Sequence, residues 1–366
     1  MAAATASSDG YVYALALIVS GTFSTVISKT QYDVRSEGAE LCVDPNDPTK
    51  MTTLCPFDKP WFSVLLAKLA MAVCLVYLYA RKVAQRREYL ETPLMKMRKS
   101  GQKYMSTPEM RRKRGESAPL VGRGSVLAHD ETRLPFKTIV AIAWPSLLDL
   151  LQTLIANVGL LWVSSSVYQM ARGSLLTALQ IVVEEHMMLK LNVSPMLLVG
   201  FEGLWGLAFY VLLIPILTLT PAGTTPISKI WHEDFYDSVV KIYNSPTQIV
   251  LSILTVFVVA VLNVTANYVT KHLSAVMRSI TETLRTLGVW IVGLFVYYII
   301  NWRGAESPGE AWTSASWIEL AGFIFMVYGT LAYKKVIQIP LPVLYAAEAR
   351  DHAAVYKSPF MTGSHK

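Results

Sequence analysis

Six ionisable residues sit inside apolar stretches of this chain: Lys68, Asp149, Arg172, Glu202, Glu282 and Arg285. A charge inside hydrocarbon is costly, so it pairs, faces a wet cavity or marks a solute path. Each of the six therefore has a structural reading and a functional one. Glu282 and Arg285 stand three residues apart and are able to pair on one helix face, which favours the structural reading. Asp149 lies deeper, a turn after Pro145, where a proline frees backbone groups and bends a helix; this favours the functional reading. Lys68 is a candidate partner for Asp149 or Glu202. Asn263, Thr265, Asn267 and Thr270 add polar groups along one stretch, placed either to bridge helices or to line a pathway. Gly200, Gly203 and Gly206 recur at a spacing suited to close helix packing. Enzyme chemistry is not indicated. The chain shows no His/Cys metal spacing, nucleophile elbow or phosphate loop, so neither metal nor cofactor is expected, and His186 beside Glu184 and Glu185 reads as a helix end at the interface.

The elements that hold these residues are membrane helices. The chain has 366 residues, 53% hydrophobic and 16% charged, against about a quarter charged in soluble domains. Several stretches approach the ~20 apolar residues that span a bilayer. The pattern predicts an all-α membrane protein, a multi-span bundle with eight spans: Tyr11–Ser28, Trp61–Ala80, Thr138–Trp162, Ser165–Val183, Pro195–Leu219, Thr247–Thr270, Ser279–Ile300 and Trp312–Tyr333. The fourth is unusual. Between Arg172 and Glu184 lie only eleven uncharged residues, too few to cross a bilayer on their own.

Orientation follows the distribution of Lys and Arg. The loop Arg81–Lys137 holds 15 Lys/Arg against 6 acids, and the loop Lys29–Pro60 holds 4 against 6. The basic loop and both termini are therefore expected in the cytosol, with the loops 231–248 and 301–310 on the far side. Lys271, Arg278, Lys334 and Lys335 fall on the cytosolic side. The net charge of +7 is explained by the basic loop rather than by nucleic acid, which is not expected as a partner. That loop is rich in Ser, Pro, Gly and charge, is expected to be disordered, and is suited to lying on anionic membrane lipid. Cys42 and Cys55 share the first far-side loop, where a disulfide and a pair of free thiols are both open. The sequons at Asn192 and Asn263 are expected to be unglycosylated, one being cytosolic and the other within a span.

Three segments carry a resemblance: "PSLLDLLQTLIANVGLLWVSSSVYQMARG" (Pro145–Gly173), "ALQIVVEEHMMLKLNVSPMLLVGFEGLWG" (Ala178–Gly206) and "NVTANYVTKHLSAVMRSITETLRTLGVW" (Asn263–Trp290). The chain resembles the drug/metabolite transporter superfamily, and within it the nucleotide-sugar-transporter-like solute carrier 35 subfamily F, member-6-like group, related to chloroquine-resistance-type transporters. The resemblance implies a fold of ten spans in two inverted repeats, with the substrate site at their interface near the midplane. Alternating access would come from rocking one half against the other. In that family "QMARG" begins the fourth span and "ALQIVVEEHMM" ends the sixth, so about two spans are missing here after Gly173, and Ser165–Val183 is expected to form one fused helix. A skipped exon or an incorrect gene model is the simplest origin.

The expected organisation is 1–80, two spans with a lumenal loop; 81–137, the basic loop; 138–194, the rest of a shortened first repeat; 195–334, the second repeat; and 335–366, a cytosolic tail. Asp149, Gln169, Arg172, Asn263 and Asn267 are the candidates to line the substrate cavity. Lys68, Glu202, Glu282 and Arg285 are candidates for structural or gating roles. The function implied is secondary transport of a small-molecule solute across an endomembrane, the lysosome or vacuole favoured over the Golgi or plasma membrane. A shortened, inactive form is the weaker version of that reading, and a non-transporting membrane protein that acts through partners is its rival. A homodimer would let a second copy close the shortened half. Protease added outside sealed vesicles should cut the loop Arg81–Lys137 and spare Lys29–Pro60; the reverse pattern would overturn the topology.

Overall fold

A computed structural model describes residues 8–44, 49–91, 134–160, 175–221, 232–300 and 309–333. Most of the basic loop, the C-terminal tail, and Gln169 and Arg172 lie outside these residues. The chain divides into two compact units, Met1–Ala311 and Trp312–Lys366. In the first unit the helices are α1 (Ser8–Asp33), α2 (Pro60–Glu91), α3 (Phe136–Ala141), α4 (Ala143–Leu160), α5 (Leu175–Lys190), α6 (Pro195–Leu219), α7 (Phe235–Asn244), α8 (Pro246–His272) and α9 (Ala275–Phe295), which ends in a π turn at Val296–Ile300. The described part of the second unit holds α10 (Ser316–Tyr333).

Among the described residues six segments are long and apolar enough to cross a membrane: Asp9–Asp33, Pro60–Gln85, Phe136–Leu160, Pro195–Leu219, Pro246–His272 and Ala275–Ile299. The protein is a multi-span helical membrane protein. The other two expected spans correspond to α5 and α10, which are shorter. The start of the expected fused helix lies outside the described residues. Its expected end at Val183 is corrected, because α5 runs on through Glu184 and Glu185 to Lys190. There Asn192, at φ 54, takes the left-handed conformation that ends the helix, and Val193 N–H returns to the Met187 carbonyl at 3.3 Å. Asparagine tolerates that backbone better than most residues. The third span is broken at Ile142. Pro145 accounts for the break: its ring collides with the carbonyl four residues back, which belongs to Ala141, the last residue of α3.

Two long pairings build the bundle. Along α2 and α6 the glycines permit close contact. A Cβ on Gly203 would stand 2.3 Å from the Ala72 nitrogen and 2.6 Å from the Met71 carbonyl carbon, so only glycine fits where the backbones meet. Along α1 and α8 buried amides and hydroxyls bridge the helices. Gln31 Nε2 donates to Ser252 Oγ at 3.1 Å, and Gln248 Nε2 donates to the Gln31 carbonyl at 3.0 Å. Near the other end of this pair Tyr13 stacks on Tyr268 and His272.

The loops at one end of the bundle are folded, which the apolar pattern did not anticipate. Strand β1 (Arg35–Val43) pairs antiparallel with β2 (Met51–Pro56), and a disulfide joins Cys42 to Cys55. Helix α7 packs on this hairpin through its charged side. Asp237, fully buried, accepts from Ala39 N–H at 2.6 Å and Glu40 N–H at 3.0 Å, and pairs with Lys59 at 3.0 Å and Lys241 at 3.1 Å. The exposed side of α7 carries Tyr236, Val239 and Tyr243, the reverse of a helix in water. Just before α7, the Glu233 carboxylate accepts the Trp61 and Phe62 amides at 2.8 and 2.7 Å, a favourable place for an anion at the start of α2. These contacts bring the loops 29–60 and 231–248 to one end of the bundle, as alternating spans require.

The cap titrates in two opposite ways. Burial works against the Asp237 charge, but the Glu40 amide and the Lys59 and Lys241 ammonium groups outweigh it and hold the carboxyl down at about 2. Its contribution is full above the ordinary value of 3.8 and is lost only as pH falls toward 2. Burial pushes Glu233 up to about 7 against the Trp61 and Phe62 amides. Here the folded state holds the proton more tightly. Stability is therefore greatest below the ordinary 4.5 and declines as pH rises to about 7. Melting of the full chain across that window should show this decline, and Glu233→Gln should flatten it. A wild-type profile already flat would show that the carboxyl titrates elsewhere.

Candidate functional site

Charged and amide side chains from four helices form a continuous ladder inside the bundle. Lys68 on α2 is fully buried and its Nζ pairs with Asp149 Oδ2 on α4. Its stem lies along α6 where Gly206 leaves room: a Cβ there would stand 2.5 Å from Lys68 Cδ. The other oxygen of Asp149 accepts from Gln152 Nε2 at 3.2 Å and Thr153 Oγ1 at 3.3 Å. Gln152 also donates to Gln180 on α5, and Gln180 donates to Glu184. Glu184 pairs with Arg278 on α9, and Arg278 Nε donates to Glu282 at 2.9 Å. Glu184 is fully buried and Arg278 nearly so. Beside them Glu185 accepts the Ala275 amide at 2.9 Å, tying the start of α9 to α5.

On the hairpin side of Asp149 the bundle opens into a cavity of about 80 Å³. Its polar lining comes from Ser24 and Ser28 of α1, Ser63 of α2, Asp149 and Asn157 of α4, and Thr255 and Asn263 of α8. Asn157 is held by the Tyr32 hydroxyl, which donates to its Oδ1 at 2.9 Å. It is a polar pocket among apolar helices, with one carboxylate at its inner end. The ladder from Gln152 to Glu282 runs from Asp149 toward the opposite end of the bundle, so one side of the acid is open and the other is filled.

Of the residues singled out in the sequence, Asp149 and Asn263 meet at this cavity. Asn267 is buried one turn further along α8, outside the lining, with its Nδ2 donating to the Asn263 carbonyl at 3.3 Å. Lys68 partners Asp149. Glu202 on α6 is buried, Ser146 Oγ donates to its backbone carbonyl at 2.7 Å, and its side-chain Oε1 has no hydrogen-bond partner among the described residues. Arg285 is buried against α1, where Gly21 makes room for its stem. Glu282 receives Arg278. Gln169 and Arg172 lie outside the described residues.

Glu184 and Arg278, which the sequence placed only at cytosolic helix ends, are buried and face each other in the interior. Gln152, Gln180, Glu184 and Arg278 were the residues missed. The available signal was Gln180 standing four residues before Glu184 within an apolar run, on the same helix face. Arg278→Met should strand the buried Glu184 carboxylate and cost about 3–5 kcal/mol. The double variant Glu184→Met/Arg278→Met should recover most of that loss in detergent melting, and equal destabilisation of the two would show that the charges do not act as a pair.

No family model and no solved structure matches the chain. It is similar to the uncharacterized protein C12G12.12 of Schizosaccharomyces pombe, 27% identical over 269 residues, which takes in 57% of this chain and 78% of that one. It is also similar to solute carrier family 35 member F6 of Homo sapiens and of Pongo abelii, 28% identical over 164 residues, or 44% of this chain. The match spans 40% of the length of those solute carriers. The yeast alignment is longer than the part of this chain it occupies, since 57% of 366 residues falls well short of 269. The yeast protein thus carries residues within the aligned region that this chain lacks.

Proposed function

We propose that this chain is a secondary transporter that moves a small solute across an endomembrane, of which the lysosome or vacuole is the favoured address. The observation that carries the reading is the cavity lined by hydroxyl and amide groups that ends on Asp149, deep among apolar helices. In hydrocarbon a polar hollow of this kind is expensive unless water or solute uses it. The ladder on the far side of Asp149 supports alternating access: the site is reached from the hairpin end while buried ion pairs hold the opposite end shut. Similarity to the named solute carriers points the same way. The residues missing relative to the yeast protein support a deletion within the chain, which we place after Gly173, where the fourth family span would join the sixth.

Removing Asp149 alone would leave the buried Lys68 ammonium unpaired, so Asp149→Asn by itself mixes function with folding. The informative variant is Lys68→Met/Asp149→Asn, which removes both charges and keeps their shape. Proteoliposomes should be loaded with a protein-free small-molecule extract and their efflux followed by mass spectrometry. The wild-type chain should release at least one solute that the double variant retains, with both proteins inserted to similar levels. If neither moves any solute, the chain works through partners instead.

A further inference from the structure

Counted over the described residues, the charges inside the bundle do not balance. Among the described residues of its interior, Lys68, Arg278 and Arg285 are cations, and Asp149, Glu184, Glu202 and Glu282 are acids. Glu184 has Arg278, Asp149 has Lys68, and Glu282 accepts from Arg278. Glu202 is the acid without an ion pair, although it is almost completely buried and its Oε1 accepts no hydrogen bond. The charged groups that face it are Lys68 from α2, Asp149 from α4, Glu184 from α5 and Arg278 from α9. A lone carboxylate in such a place is costly; it takes up a proton or finds a cation. No three His, Cys, Asp or Glu side chains converge as metal ligands among the described residues, and a proton needs only the one carboxylate that is present.

We propose that Glu202 is a proton-binding site that couples solute movement to a proton gradient. The inference rests on the transport reading given above. Lys68 is the shared element. Its stem lies against Gly206, one helical turn from Glu202 on α6, while its ammonium holds Asp149. With the proton on Glu202, the Lys68–Asp149 pair is undisturbed and the cavity acid is neutralised. When the Glu202 O–H bond breaks and the proton leaves to water, two carboxylates compete for one ammonium. Lys68 is drawn toward Glu202, and Asp149 is left to a solute carrying a cationic or hydrogen-bond-donating group. Proton release and solute capture are then two sides of one exchange, and the cycle is an antiport.

Two measurements on the full chain test this. In lipid vesicles without solute, the infrared difference spectrum between acid and alkaline samples should contain the carbonyl band of a titrating carboxylic acid. That band should be lost in Glu202→Gln and kept in Glu282→Gln. A band that persists in Glu202→Gln overturns the assignment. In vesicles loaded with the small-molecule extract, a gradient of about one pH unit should change the steady-state distribution of the transported solute by about tenfold, and in Glu202→Gln by about onefold. A sodium gradient that drives the solute where a pH gradient does not would overturn proton coupling. If no solute moves under any gradient, the transport reading fails and the coupling with it, while the infrared band still decides whether Glu202 binds the proton.

Discussion

Water is absent from the middle of a bilayer, and every ion placed there must find its counter-ion within the protein. Lys68 and Asp149 meet this constraint across α2 and α4, and much of the surrounding structure follows from holding them together. The Lys68 stem needs room against α6, which is why Gly206 has no side chain. The break before Pro145 sets the course of the helix that carries Asp149. Gln152 and Thr153 supply hydrogen bonds to the remaining carboxylate oxygen, so the acid is satisfied by neutral groups as well as by a cation. Buried ion pairs are weak sources of stability because desolvation offsets much of the attraction. Under the transport reading proposed above, their presence along one path through the bundle is better explained by a role in the cycle than by a need for strength.

The end of the bundle that bears the hairpin solves a different problem. Its charges sit outside the hydrocarbon, and they fasten loops rather than spans. Asp237 collects two backbone amides and two ammonium groups, a set that keeps it ionised well below neutral pH. The cap thus stays docked at acidic pH, and the disulfide between Cys42 and Cys55 limits how far the strands can separate.

The spans were legible because hydrophobic length is a property of the local sequence. Pro195–Leu219 was located to the residue, and the packing role of Gly203 followed from its spacing. The partnership of Lys68 with Asp149 was one of two options in the sequence, and only the helix arrangement chooses between them. Glu184 and Arg278 were missed for a specific reason. Both lie near helix ends, where charges usually reach water, and nothing in the order of residues reveals that α5 and α9 meet there. The hairpin was hidden as well: Arg35–Val43 and Met51–Pro56 carry too few branched apolar residues to signal strands, and their fold depends on Asp237 almost two hundred residues away.

The contact at Gly203 also bears on kinematics. Helix α2 comes before the long basic loop and α6 after it, yet their backbones touch, and a seam that tight cannot slide or open without tearing. Helices α1 and α8 are likewise stitched by Gln31, Gln248 and Ser252. The two pairs touch each other through Met71, Cys74, Ala260 and Val264 and part around the cavity. Any rearrangement of the bundle that keeps these seams must carry the pair α1–α8 and the pair α2–α6 as units, each of which draws on both halves of the chain. Which helices travel together is set by these seams and not by their order in the sequence.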